Sequence, residues 1–219
     1  MSAGPEGSVI LSLYEKGMAA SPARRAALLC AAAGADPEAL PMGDVDRRIW
    51  GFLNAMFSGP HEAVSACSDC GEAVEFVMPP DFAPPPRVGG DEVEVSYRGT
   101  SHKVRMPRLA DVRDGRARLE NLAPDAPWDD PGFVAAAEEA LEAADPGLRL
   151  LVVLQCAACG SEQSKVFDAA GYTWQRVELA ARQLLREIVS LARSLGWSEA
   201  DLLGMSAARR AIYLAELGE

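Results

Sequence analysis

Two short motifs dominate the chemistry open to this 219-residue chain: Cys67-Ser68-Asp69-Cys70 and Cys156-Ala157-Ala158-Cys159, each followed at once by a glycine, Gly71 or Gly160. Two residues between thiolates bring both sulfurs to one side of a tight turn. A glycine after the second cysteine can take a positive φ, which lets backbone N–H groups point at sulfur. Two such turns supply four thiolates, the donor set of a closed tetrahedral zinc site. The expectation is one structural Zn2+ per chain, held by Cys67, Cys70, Cys156 and Cys159. The pairs stand 85 residues apart, so the ion would pin two distant parts of the chain and contribute directly to folding. Two other readings use the same residues. A redox dithiol usually presents one pair at a helix start, whereas both pairs here lead into strand-like sequence. Each pair could also be a half-site completed by a partner chain.

Four cysteines leave no open position of the kind a catalytic zinc keeps for water. The two histidines, His61 and His102, lie outside both motifs. Glu92 and Glu94 alternate along a strand pattern and read as a solvated face. No nucleophile elbow, phosphate loop or metalloprotease helix is present in the sequence. The expected class is therefore a non-enzyme. The fifth cysteine, Cys30, sits in an apolar run and reads as a small buried hydrophobe.

The elements that must position the motifs follow from periodicity. Residues 8–19 carry apolar positions at helical spacing. Ser21-Pro22 opens a second helix that ends at Gly34. Asp44 is expected to cap a third, with Val45, Ile49, Phe52, Leu53 and Met56 on its apolar face. The pattern changes at Cys67, and residues 72–78 read as a strand. Residues 79–90 read as a proline- and glycine-rich loop. Residues 91–97 and 102–106 form a hairpin around Arg98-Gly99-Thr100-Ser101. Residues 108–131 are weakly patterned, and Asp130-Pro131 starts an alanine-rich helix. The apolar run 148–154 suggests a buried strand, and residues 162–167 a further one. Asp168 or Thr173 then caps the longest helix, which ends at Gly196, and Ser198 and Ser206 cap two short ones. No internal repeat is read beyond the two cysteine pairs. The expected fold class is α+β, with a zinc-ribbon-like β-unit (63–167) between an N-terminal helical region (1–62) and a C-terminal helical region (168–219).

Charge narrows the partners. With 21 basic and 32 acidic residues the formal net charge is -11, and four thiolates around a divalent ion would add two more negative charges. Such a chain repels phosphate backbones, and its knuckles hold Ser68, Asp69, Ala157 and Ala158 rather than Lys, Arg and aromatics. Nucleic acid is not an expected partner. No apolar stretch is long enough for a bilayer and no secretory signal precedes residue 8, so a membrane is not expected either. An odd cysteine count argues against a secreted disulfide framework. A cytoplasmic location is expected.

Several stretches combine into a pattern that resembles the phage base plate protein family typified by the T-even phage baseplate hub assembly protein, with relatives beside phage-tail-like contractile injection systems. They are Leu11-Ser12-Leu13-Tyr14-Glu15-Lys16-Gly17, the two CxxCG knuckles, Arg105-Met106-Pro107-Arg108-Leu109-Ala110-Asp111, Phe167-Asp168 with Trp174, and Gly196-Trp197-Ser198-Glu199-Ala200-Asp201-Leu202-Leu203. Residues 112–132 depart from it, being more irregular than the helical region expected there. The resemblance implies a non-enzymatic assembly factor or minor baseplate component whose partners are baseplate or tail proteins. It leaves open whether the protein stays in the finished particle. The alternative is a zinc-ribbon regulator binding nucleic acid or a regulatory protein. The C-terminal Trp197, Leu202, Leu203 and Tyr213 either pack on the long helix or form a docking surface.

Overall fold

The computed structural model describes residues 4–79, 81–113 and 116–218. Three helices open the chain: α1 (Gly4–Gly17), α2 (Pro22–Ala32) and α3 (Met42–Met56). The longest helix, α5 (Ala169–Leu195), packs against all three. Their shared core is Leu13, Leu29, Cys30, Val45, Ile49, Phe52, Trp174 and Val177. Cys30 is fully buried there, as a small hydrophobe should be, and burial pushes its thiol up from the ordinary range. Farther along α5, Leu184, Ile188 and Leu191 meet Leu11 of α1 and Leu202 of α6 (Glu199–Leu203). Trp197 stacks edge-on against Tyr213 of α7 (Ala207–Glu216), with ring centroids 4.9 Å apart. Arg210 locks α7 down through Glu187 at 3.0 Å and the Met205 carbonyl at 2.8 Å. The C-terminal apolar residues thus pack on the long helix.

Among the described residues, four two-stranded antiparallel sheets complete the α+β fold. The first joins β1 (His61–Ala66) to β2 (Ala73–Met78). The second joins β3 (Glu92–Tyr97) to β4 (Thr100–Arg105) through a tight Arg98-Gly99 turn with φ of +47° and +84°. Both central residues being left-handed marks a two-residue hairpin turn, shorter than the four residues expected. Inside residues 108–131 lies a minimal sheet, β5 (Val112–Arg113) with β6 (Arg116–Ala117). The last pairs β7 (Leu151–Gln155) with β8 (Glu162–Val166). Against β3–β4 packs α4 (Pro131–Ala144), whose Phe133 is fully buried among Val95, Val104, Met106, Leu122 and Leu141. No helix among the described residues is long and apolar enough to cross a membrane.

Three expectations need correcting. Helix α3 starts at Met42 with Pro41 before it, and Asp44 is not its cap. Asp44 accepts from Arg47 and Arg87 instead. Arg47 also grips the fully buried Asp145 with both terminal nitrogens, at 2.8 and 3.0 Å, and so ties α3 to the end of α4. Gly43 is required here, because a Cβ would overlap the Asp145 carboxylate. The run 148–154 is not a buried strand: Leu151 and Val153 are mostly exposed, since a two-stranded hairpin has only one face covered. Strand character also begins before Cys67, at His61, because residues 61–66 pair with 73–78.

Candidate metal centre

Each CxxCG motif is the turn of its own hairpin: 67–71 joins β1 to β2, and 156–160 joins β7 to β8. Local bonding is the same in both. The Cys67 N–H donates to the Glu72 carbonyl (2.8 Å) and the Gly71 N–H to the Cys67 carbonyl (3.0 Å). In the second, Cys156 N–H reaches Ser161 (2.9 Å) and Gly160 N–H reaches Cys156 (2.8 Å). Gly71 and Gly160 share a φ of +77° with open space around both. Glycine is needed there for its backbone freedom, not for lack of room.

The hairpins face each other through Val74 and Leu154, with Phe76 and Val152 alongside. That packing brings the sulfurs together. Cys67 and Cys156 are buried while Cys70 and Cys159 reach the surface. All four Sγ atoms lie within 4.8 Å of one another. The cross-hairpin separations Cys67–Cys159 and Cys70–Cys156 are both 3.7 Å. A disulfide needs about 2.05 Å. A tetrahedral ion with metal–sulfur bonds of about 2.3 Å needs sulfur–sulfur edges near 3.8 Å. The cluster therefore has the dimensions of a four-sulfur metal site, which suits zinc or iron.

Polar groups of the second hairpin hold the cluster. The Ser161 hydroxyl lies 3.2 Å from Cys159 Sγ and 3.5 Å from Cys67 Sγ. It favours the thiolate of each. With backbone N–H groups of Cys70 and Asp69 helping, it lowers the Cys67 thiol to about 5. Ser161 lowers Cys159 as well, through its hydroxyl and its N–H. Cys70 behaves in the opposite way. The Glu72 N–H favours its thiolate, but the Cys159 sulfur, local desolvation, and the Cys67 and Cys156 sulfurs outweigh that and push it up to about 12. Four negative sulfurs this close coexist only around a cation. Across the hairpins, Ser68 N–H donates to Gln163 Oε1 (2.9 Å) and Lys165 Nζ to the Ser68 hydroxyl.

The other candidates lie elsewhere. His61, the first residue of β1, is buried, bonded to Asn54 at 2.7 Å and stacked edge-on against Trp50. His102 packs edge-on against Phe133. Glu92 and Glu94 are exposed on β3. Sequence reasoning missed Ser161, for which only its position directly after Gly160 was a signal. It also missed a longer repeat. Three residues before the first cysteine of each motif stands an exposed valine, Val64 (65%) or Val153 (64%). Seven after the second stands another, Val77 (56%) or Val166 (58%).

No family model matches the chain, and no curated protein or solved structure does either.

Proposed function

We propose that Cys67, Cys70, Cys156 and Cys159 hold one structural Zn2+ in a zinc-ribbon-like clasp, within a non-enzymatic assembly factor or minor baseplate component of a phage-tail-like contractile injection system. The observation that carries the zinc reading is the pair of 3.7 Å cross-hairpin sulfur separations, close to the edge of a zinc–thiolate tetrahedron. Four protein ligands close the shell, so the ion fastens two hairpins and leaves no place for substrate. When bound, zinc keeps all four sulfurs deprotonated and supplies folding free energy.

The baseplate reading is supported by the family resemblance in the CxxCG knuckles, residues 105–111 and the C-terminal stretch. In residues 105–111 the two ends of the stretch have a physical use: Arg105 and Asp111 form a two-pronged ion pair at 2.7 and 2.6 Å. The net charge of -11 suits a protein partner better than nucleic acid. Two experiments test the two halves separately. Elemental analysis of protein purified without added metal should give one zinc per chain, and iron instead would overturn the metal assignment. Co-expression with tail tube, sheath and baseplate proteins of a contractile injection system should yield a stable complex. Retention on DNA or RNA at physiological salt, with no tail-protein complex, would favour the regulator reading.

A further inference from the structure

Helix α5 is covered on one side only. Its buried residues Trp174, Val177, Ala181, Leu184, Ile188 and Leu191 all join the helical cores. At 3.6 residues per turn, Leu179, Arg182, Arg186, Val189 and Arg193 fall on the opposite side, within about 80° of one another. All five are exposed. A shallow depression runs along the C-terminal half of this stripe. It is lined by Leu185, Arg186, Val189, Ser190, Arg193 and Ser194, all of them from α5.

Single exposed apolar side chains are ordinary on a protein surface. Here three large ones, Leu179, Leu185 and Val189, stand within three turns of one helix. The charges beside them are of one sign. The nearby acids are engaged, Glu178 by Arg182 at 2.6 Å and Glu187 by Arg210 at 3.0 Å. Arg186 reaches the neutral Gln183 amide at 2.9 Å, and among the described residues neither Arg186 nor Arg193 meets a carboxylate within ion-pair distance. An arginine in the last turn complements the helix C-terminus by itself, so Arg193 alone would carry nothing. Arg186 lies in mid-helix, two turns earlier. An uncompensated positive stripe is the exception in a chain with 32 acidic residues against 21 basic ones.

The charges lining the depression are therefore Arg186 and Arg193 alone. They stand seven residues apart, about 10.5 Å along the axis, which is the distance between every second turn of another helix laid alongside. Leu185 and Val189 lie between them at the four-residue spacing of a helix-packing ridge. We propose that this face docks an acidic amphipathic helix of a partner protein, with carboxylates seven residues apart on the two arginines and apolar side chains over Leu185 and Val189. A second copy of this chain is a poor occupant. Its most acidic helix, α4, exposes no large apolar side chain, and a second α5 would set arginine against arginine. The interleaved leucine and valine, with the net charge of -11, disfavour a phosphate backbone. The stripe lies apart from the sulfur cluster, and the proposal holds whatever larger assembly the protein serves.

The test uses full-length, metal-loaded protein with isotope-labelled Leu and Val methyls. The probe is a fluorescent helical peptide of about 18 residues, five turns long, with leucine on one face and glutamates seven residues apart beside it. Titration by fluorescence anisotropy should show saturable binding, with methyl shifts at Leu185 and Val189. Replacing both arginines, Arg186→Glu with Arg193→Glu, should weaken binding at least about tenfold with metal content unchanged. A peptide with lysine in place of glutamate should restore the Leu185 and Val189 shifts in that variant and produce none in the wild type. The proposal is overturned by the absence of saturable binding, by equal binding of the double variant, or by methyl shifts confined to other residues. Single-stranded DNA that binds this stripe more tightly than the peptide at physiological salt would also overturn it, making a phosphate backbone the occupant. So would a dimer that Val189→Lys dissociates, making a second copy the occupant.

Discussion

The clasp hairpins and the β3–β4 hairpin are built from strands of similar length, yet they are held by different physics. β3–β4 packs on α4 and buries Val95, Val104 and Met106 against Phe133, Ala137 and Leu141. Trp128, Tyr97 and His102 all meet the Phe133 ring edge-on. Its partners are close in sequence, so few residues of loop must be closed before burial stabilises the unit. At the sulfur end, the clasp hairpins bury only Val74 and Leu154 beside two cysteines. The far ends of these hairpins are joined by burial, Met78 and Phe167 meeting Trp50 and Leu53, but at the cysteine turns two apolar side chains cannot by themselves offset the ordering of segments so far apart in the chain. A metal in the proposed site would do so, adding coordination between distant turns to a fold that elsewhere uses burial between local partners.

The largest effect should come from removing a sulfur. Cys156→Ser should abolish stoichiometric metal, with loss on the order of 10 kcal/mol of binding free energy. By hydrogen exchange, β1–β2 and β7–β8 should lose protection while β3–β4 and the middle of α5 keep theirs. Equal loss in β3–β4 would break the comparison.

Next comes the burial side. Phe133 is fully buried and touches three rings, so Phe133→Ala should cost about 3–5 kcal/mol. The melting temperature should fall with metal content still one per chain. A variant that lost metal as well would show that the two regions stand or fall together.

What the sequence disclosed follows the same division. The four cysteines were legible because turn chemistry is local: two spacer residues and a glycine specify the knuckle wherever it sits. The caps at Ser21, Ser198 and Ser206 were legible for the same reason, and of the two candidates for α5 it is Asp168, accepting from Gly171 at 2.8 Å, that caps, while Thr173 lies inside the helix. Asp44 misled because its partner Arg87 and the shared Asp145 lie far along the chain, and a nearby pattern cannot announce a distant ion. Residues 61–66 hold one β-branched side chain, Val64, and become a strand only through their register with 73–78. The run 148–154 is apolar enough for a core, but burial depends on a second layer that its outer face lacks.

A smaller effect compares the halves of the clasp. Gly71 and Gly160 have one φ and equal room, so Gly71→Ala and Gly160→Ala should each cost about 1–2 kcal/mol. Chemical denaturation of the metal-loaded forms measures both. The surroundings differ, with Ser161 after Gly160 and Glu72 after Gly71. A markedly larger cost at Gly160 would mean that the Ser161 hydroxyl contacts depend on that turn, and the two knuckles would no longer be energetic equivalents.

The smallest effect is read in acid. Arg105, aided by the Arg108 N–H, holds the Asp111 carboxyl below the usual carboxylate range. The folded chain thus gives up this proton more readily than the unfolded chain. The pair adds stability above the unfolded value of about 3.9 and loses it as pH falls through the lower folded value. Thiolates take up protons and release metal in acid as well, so the clasp responds to acid by a separate route. Metal release, followed with a chelating dye, should therefore follow the same pH course in wild type and Asp111→Asn. The acid-side loss of β4 protection should differ, being already present near neutrality in the variant. Coincident curves for metal release and β4 opening in the wild type would mean that the ion pair is subordinate to the clasp, and that burial and coordination are not independent ways of holding this fold.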